Sequence, residues 1–131
     1  MKKEELIIQS NSEDMSVRWG VAKNPSTPVD ILIKLSNDKI NLVRALVATN
    51  PNTPREILIK LFSDEKIVRD GLSGNISLPP KYLNVLADDK DKMVRLRVAK
   101  NPATPKDTLI KLAKDSSNDV KLCVKKRLEY A

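Results

Sequence analysis

Apolar residues recur along the chain in short groups that alternate between two patterns. In the first pattern a Val-Arg pair is followed one helical turn later by another aliphatic residue, as at Val17 and Val21. In the second pattern a Thr-Pro pair precedes a denser apolar group, as at Ile31, Leu32 and Leu35. Apolar residues three or four positions apart lie on one face of an α-helix. The alternation therefore predicts short amphipathic helices in pairs, and no β-sheet.

The two patterns together form a repeat of about 26 residues. The Val-Arg pair opens the segments VRWGVAKNPSTPVDILIKL, VRALVATNPNTPREILIKL, VRDGLSGNISLPPKYLNVL and VRLRVAKNPATPKDTLIKL at positions 17, 43, 68 and 94. An altered copy with Val-Lys begins at position 120. A period of this length is typical of solenoids, in which each unit is too small to bury its apolar face alone and stacks on its neighbours.

We expect one helical-repeat domain over residues 1–131, because a chain of this length supports a single continuous core. Residues 1–16 are predicted to form an N-terminal half-repeat cap with a helix over Lys3–Ser10. Residues 120–131 are predicted to form a C-terminal half-repeat cap with a helix over Val120–Tyr130. The repeats between them span 17–42, 43–67, 68–93 and 94–119.

Each repeat carries signals for the ends of its helices. Asn-Pro closes the first helix, because the residue before proline is pushed out of helical geometry. Before the second helix, Thr27, Thr53 and Thr104 are predicted N-caps, with proline at the first helical position and an acid at the third, as in a capping box. The third repeat has Asn75-Ile76 and Leu78 instead, and the loop before it is one residue shorter, so we expect a local irregularity there.

The recurring VRxxVAxNPxTPxxxLxxL closely resembles the leucine-rich repeat variant family, over about residues 17–112. This resemblance implies short helix pairs stacked into a right-handed superhelix, in which one helix of each pair is α or 3₁₀. A described member carries an iron–sulfur cluster in a cysteine-rich N-terminal region, but nothing here aligns with those cysteines, so no cofactor is expected. The pattern is also similar to HEAT and armadillo repeats. Both resemblances imply recognition by an extended α-solenoid surface, with no reaction attached.

The similarity to HEAT and armadillo repeats also implies a role for the arginines of the Val-Arg pairs. In those repeats an aspartate six residues before the arginine ties neighbouring repeats together. Here the corresponding pairs are Asp38–Arg44, Asp64–Arg69 and Asp89–Arg95, of which the second is one residue closer. Because Arg18 and its counterparts fall within the apolar face of their helices, we expect them to be partly buried and paired with these acids, not exposed as a stripe for phosphates.

A second cationic series lies on the second helices, at Lys34, Lys60 and Lys111. Each lysine follows an acid by four residues, in the order that favours an ion pair along a helix. The acids are Asp30, Glu56 and Asp107. We therefore expect these lysines to pair within their own helix on a solvated face.

Composition removes most catalytic chemistry. The chain has no histidine, one cysteine and three scattered glycines. Imidazole bases, the usual nucleophilic triads, a nitrogen ligand for zinc and a glycine-rich phosphate loop are therefore absent, and we expect neither an enzyme nor a metal site. The lone Cys123 favours a reducing compartment. The apolar run Leu6–Ile8 is too short for a signal peptide or a membrane span, so a cytoplasmic location is expected.

The positive charge lies at one end of the chain. Residues 1–91 hold 13 basic and 13 acidic side chains, whereas residues 92–131 hold 11 basic and 4 acidic ones, which accounts for the net charge of +7. Stacking would gather these cations on the last repeat and its cap, where an acidic protein or a nucleic-acid backbone could dock. The candidate basic patch consists of Arg97, Lys100, Lys121, Lys125, Lys126 and Arg127. Its alternative is a solubilising cap that complements the helix dipole.

These observations favour a non-catalytic scaffold that binds another protein through the solenoid surface. The alternative is non-specific binding of nucleic-acid phosphates through the basic patch. Only Tyr130 accompanies the patch, so base stacking is not indicated. Trp19 occupies a position that points away from the apolar face of its helix, where it is either an exposed anchor or packed on the N-terminal cap.

Overall fold

The computed structural model describes residues 2–129 and shows ten α-helices and no strand within them. The helices are α1 Lys3–Ser10, α2 Met15–Lys23, α3 Val29–Leu35, α4 Asn41–Thr49, α5 Arg55–Leu61, α6 Lys66–Ser73, α7 Pro80–Leu86, α8 Lys92–Lys100, α9 Lys106–Leu112 and α10 Asn118–Glu129. The predicted all-α stack of short helix pairs is thus confirmed, and both helices of each pair are α-helical. Its right-handed sense stays a prediction. Met1, Tyr130 and Ala131, which belong to the predicted caps, lie outside the described residues.

The helices form two layers. The helices α2, α4, α6 and α8, which carry the Val-Arg pair, and α10, which carries Val-Lys, are called the first helices below. They pack directly against one another in chain order. The second helices α1, α3, α5, α7 and α9 mainly contact the first helices beside them. The first-helix layer is therefore the more closely spaced one. None of the described helices has the length and apolar character needed to cross a membrane.

The repeated aliphatic positions form the core. Val43, Val68, Val94 and Val120, which open successive first helices, are completely buried, as are Val47, Leu72, Val98 and Val124 one turn later. The buried side chains join into one cluster that extends from Leu6 to Val124. Each fully buried valine or leucine contributes about 1.5–3 kcal/mol, and this packing holds helices that would be marginal alone.

Asparagines tie each turn between helices to the turn of the preceding repeat. The Asn50 amide nitrogen donates to the carbonyl oxygens of Ala22 and Asn24, at 2.9 and 3.0 Å, and Asn50 Oδ1 accepts from the backbone N–H of Asn52. Asn75 and Asn101 make the same bonds in the next two repeats. We call these three residues the asparagine ladder. No buried side-chain polar atom of residues 2–129 lacks a hydrogen-bond partner.

The predicted threonine caps are wrong. Helices α3, α5 and α9 begin one residue after the proline, and the proline itself occupies the N-cap position without a side-chain hydrogen bond. The buried hydroxyls of Thr27, Thr53 and Thr104 donate instead to the carbonyl oxygen six residues earlier, at 2.6, 2.8 and 2.6 Å. That carbonyl belongs to the last turn of the first helix, where backbone acceptors lack partners within the helix. Each threonine therefore fastens the turn to the helix before it.

The third repeat is irregular at Gly71. A Cβ at this position would lie 2.7 Å from the carbonyl oxygen of Ala45 and 3.3 Å from the Cβ of Ala48. The backbone of α6 therefore approaches α4 more closely than any residue with a side chain would permit. In the same repeat Leu78 takes the place of the turn threonine and is buried, so an apolar contact replaces the hydroxyl bond.

We expect opposite effects of alanine at two helical glycines. Gly71→Ala should destabilise the fold by about 1–3 kcal/mol, because its methyl group collides with backbone. Gly20→Ala should stabilise it by about 0.5–1 kcal/mol, because open space surrounds Gly20 and alanine favours the helix. Urea denaturation followed by circular dichroism gives both values. Equal stabilities of the two variants would contradict the close approach of α6 to α4.

Candidate functional site

The arginine series lies along the loops and links successive repeats. Arg44 Nε donates to Asp64 Oδ2 at 2.9 Å, and Arg44 Nη1 donates to the backbone oxygen of Asp38 at 2.7 Å. The same arrangement recurs in the pairs Arg18–Asp38, Arg44–Asp64, Arg69–Asp89 and Arg95–Asp115. Their side chains are only 6–24% exposed, so the arginines are unavailable as a stripe for phosphates.

The carboxylate partners differ from the predicted ones. In the predicted pairs Asp38–Arg44, Asp64–Arg69 and Asp89–Arg95, the aspartate contributes only its backbone oxygen to that arginine. The carboxylate turns away because one of its oxygens accepts an amide N–H of its own loop, as Asp38 Oδ1 does from Ile40 at 3.0 Å. The carboxylate then meets the arginine of the preceding repeat, whose Nε donates to Oδ2 and, in three of the four pairs, whose Nη2 donates to Oδ1. The two bonds of Arg69, at 3.2 and 3.3 Å, reflect the shortened loop.

Three carboxylates of this series have a pKa below the ordinary value of an aspartate. Burial raises the pKa of Asp38, Asp64 and Asp115, but hydrogen bonds from the paired arginine and from a loop amide outweigh it. The net pKa of each therefore lies below its ordinary value of 3.8. The folded chain therefore favours the charged form of these three carboxylates.

The lysines of the second helices also connect repeats. Lys60 Nζ donates to Asn37 Oδ1 at 2.5 Å, and Lys111 Nζ donates to Asp88 Oδ2 at 2.8 Å. Lys34 donates to Ser10 Oγ at 3.1 Å. The prediction that they pair with the acid four residues before them is wrong, because stacking brings the loop of the preceding repeat within closer reach.

The six residues of the candidate basic patch have three different environments. Arg127 Nη1 donates to the carbonyl oxygens of Ala99 and Asn101, at 2.7 and 2.8 Å, where it takes the place of the next ladder asparagine. Arg97 Nε donates to Asp70 Oδ1 at 2.7 Å. The remaining four are exposed and form no ion pair with another described residue; they are Lys100, Lys121, Lys125 and Lys126. Lys100 and Lys126 line one hollow, whereas Lys121 and Lys125 line a second hollow on another side of α10.

Shallow hollows follow the exposed side of α4, α6, α8 and α10, which we call the first-helix face. They measure about 300 Å³ beside α4 and α6, about 280 Å³ between α6 and α8, and about 330 Å³ between α8 and α10. The Asp70–Arg97 pair crosses from α6 to α8 in the middle of the row. Exposed apolar side chains accompany it: Ile67 is 39%, Met93 45% and Leu122 54% exposed.

Some residues on this face escaped prediction from the sequence. Asp70, Leu96 and Leu122 occupy the position that Trp19 has in the first full repeat. This position holds a different residue in each of the four full repeats, and the C-terminal cap repeats the leucine of the fourth. Trp19 itself is 38% exposed at the N-terminal end of the row. Variation at a repeated surface position was therefore the available signal for the face.

The described residues contain no group of histidine, cysteine or acidic side chains that could hold a metal ion.

The chain is similar to the solved structure of "a leucine-rich repeat variant with a novel repetitive protein structural motif", at 22% identity and a TM-score of 0.46. The match covers 95% of this chain and 60% of that one, so this chain spans less than two thirds of its length. No family model and no curated protein matches the chain.

Arg44→Met should destabilise the fold by about 2–4 kcal/mol, because Asp64 and the carbonyl of Asp38 lose their donors while partly buried. Chemical denaturation measures the loss. The matched control is Arg55→Met, which removes an exposed arginine from α5 and should cost less than about 0.5 kcal/mol. Equal losses of stability in the two variants would contradict the burial and pairing of the arginine series.

Acid should weaken the fold through the same carboxylates. Since their pKa values are lower in the folded chain than in the unfolded one, their stabilisation is present above about pH 5 and is lost as the pH falls below about 4. The Asp64→Asn variant should therefore lose less stability than the wild type between pH 6 and pH 3. Urea denaturation at both pH values tests this, and an identical loss in the two proteins would refute it.

Proposed function

We propose that the chain is a non-catalytic protein-binding module that receives a segment of another protein on its first-helix face. The carrying observation is the row of hollows with exposed Ile67, Met93 and Leu122 beside it. Apolar side chains gathered on one exposed face are typical of interaction surfaces.

The size of the hollows favours a protein partner over a small molecule. Each measures about 280–330 Å³, at the lower end of the range for ligand sites. Such hollows accept single side chains, and their spacing along successive helices suits an extended or helical segment that places one side chain in each.

The rigid stack supports this role. The asparagine ladder and the arginine–aspartate pairs fix neighbouring repeats at both the turns and the loops. A preformed face costs little ordering entropy when a partner binds. The module would reside in the cytoplasm, where Cys123 in the α8–α10 hollow stays reduced.

The nucleic-acid alternative is weaker for a specific reason. Arg127 is bound to two backbone carbonyls, and the other cations of the basic patch divide between two sides of α10. A duplex near Lys100 and Lys126 would meet those two lysines and the terminal nitrogens of Arg97, and log affinity should fall with log salt at a slope of only about −3. Phosphate binding through these few cations also gives no role to the exposed apolar side chains of Ile67, Met93 and Leu122.

Selection from a random peptide library displayed on phage tests the proposal. We expect enriched peptides whose affinity falls about tenfold or more for the double variant Ile67→Ser/Leu122→Ser, as measured by fluorescence anisotropy. The matched control, Ile33→Ser/Ile110→Ser, removes two equally exposed residues from the second helices and should change affinity less than twofold. Failure to enrich any peptide refutes the binding role, and equal losses refute the face.

A further inference from the structure

The hollow between α8 and α10 combines an apolar floor with paired cations. Leu96, Leu122 and Cys123 line it, and Lys100 and Lys126 stand at its rim together with Asp119. The two lysines occupy equivalent positions in neighbouring first helices, six residues after Val94 and Val120. Stacking therefore places them side by side.

This pairing of cations is confined to one end of the face. The equivalent position holds Lys23, Thr49 and Gly74 in the earlier repeats, so no other two neighbouring first helices present two cations there. Both lysines are exposed, and neither forms an ion pair with any residue of the described range 2–129. Their charge is thus available to a partner.

Arg97 adds a third cation on α8, on the side of the neighbouring hollow between α6 and α8. It lies one turn before Lys100, and its side chain is 49% exposed. Its Nε donates to Asp70, while its terminal nitrogens donate to no described acceptor. A guanidinium with two free terminal donors binds a carboxylate through both of its oxygens.

We infer that the segment bound by the first-helix face is acidic and inserts one apolar side chain between α8 and α10, with carboxylates held by Lys100, Lys126 and Arg97. This inference rests on the proposed function and names the chemistry of its partner. The apolar side chain covers Leu122, the most exposed of the apolar residues on this face. The flanking carboxylates meet the three cations.

The position of Asp119 orders the charges along the hollow. It precedes Lys126 by seven residues on α10, which places the two about 10 Å apart along the helix axis. Acidic residues of the segment therefore lie toward the lysine end, and the Asp119 end takes a neutral or basic residue. A phosphate backbone has no apolar group to cover Leu122 and is repelled by Asp119, so it fits the hollow less well than an acidic peptide.

The probe for this inference is a fluorescein-labelled peptide with glutamates on one side of a single leucine and serines on the other. The full chain should bind it, and Lys100→Glu/Lys126→Glu should weaken binding at least tenfold. The matched control, Lys106→Glu/Lys114→Glu, makes the same change of net charge at exposed residues of α9 and the loop after it, and should weaken binding less than threefold. Replacing the leucine of the peptide with serine should also weaken binding.

Each contrary outcome has one meaning. Equal losses in the two double variants, or no binding of the acidic peptide by the wild type, overturn the inference. Tighter binding of duplex DNA than of the peptide, lost in Lys100→Glu/Lys126→Glu, overturns it in favour of a nucleic-acid site. If phage-selected peptides still depend on Ile67 but not on Lys100 and Lys126, the inference fails and the proposed function stands.

Discussion

The carbonyls at the turn that ends each first helix keep acceptor capacity that their own repeat does not fill, and the asparagine of the next repeat donates to two of them, one of which also accepts a backbone N–H of its own turn. Asn50 binds two carbonyl oxygens of the preceding turn while its own oxygen holds the amide of Asn52. One side chain thus shapes its own turn and satisfies the previous one. Because helices of seven to nine residues are marginal alone, a repeat acquires its structure only when a neighbour completes these bonds. Arg127 supplies the same donors where no further ladder asparagine follows.

This requirement decides which polar residues are free to act on a partner. The arginine series, the lysines of the second helices and Arg127 all bind neighbouring repeats, although their charge and regular spacing would suit phosphate binding. Positions that recur unchanged are used by the stack. The position that holds Asp70, Leu96 and Leu122 varies among the full repeats and lies on the first-helix face, where it would determine specificity for the proposed partner.

The sequence predicts the helix pairs because apolar periodicity and Asn-Pro act locally. It does not predict the partners of repeated charges. Arg44 follows Asp38 by six residues and precedes Asp64 by twenty, and these separations add up to the period of 26. The spacing of twenty holds at all four arginines of the series, whereas the spacing of six holds only at Arg44 and Arg95. Spacing alone does not tell the carboxylate partner from the backbone partner, and the three-dimensional stacking does. The prediction that Thr53 is an N-cap is wrong for a similar reason. Its hydroxyl is within reach of both the preceding and the following helix, and it donates to Val47 of the preceding one.

The shortened third repeat makes the first-helix face non-uniform. Gly71 allows α6 to approach α4, and the Asp70–Arg97 pair spans the hollow that remains between α6 and α8. Arg97 is thereby held at the boundary between the apolar middle of the face and its cationic end. An identical stack of repeats would offer a partner many equivalent registers. The irregular repeat, together with the lysine pair confined to α8 and α10, would leave the proposed acidic segment a single register in which its apolar and acidic groups are both satisfied.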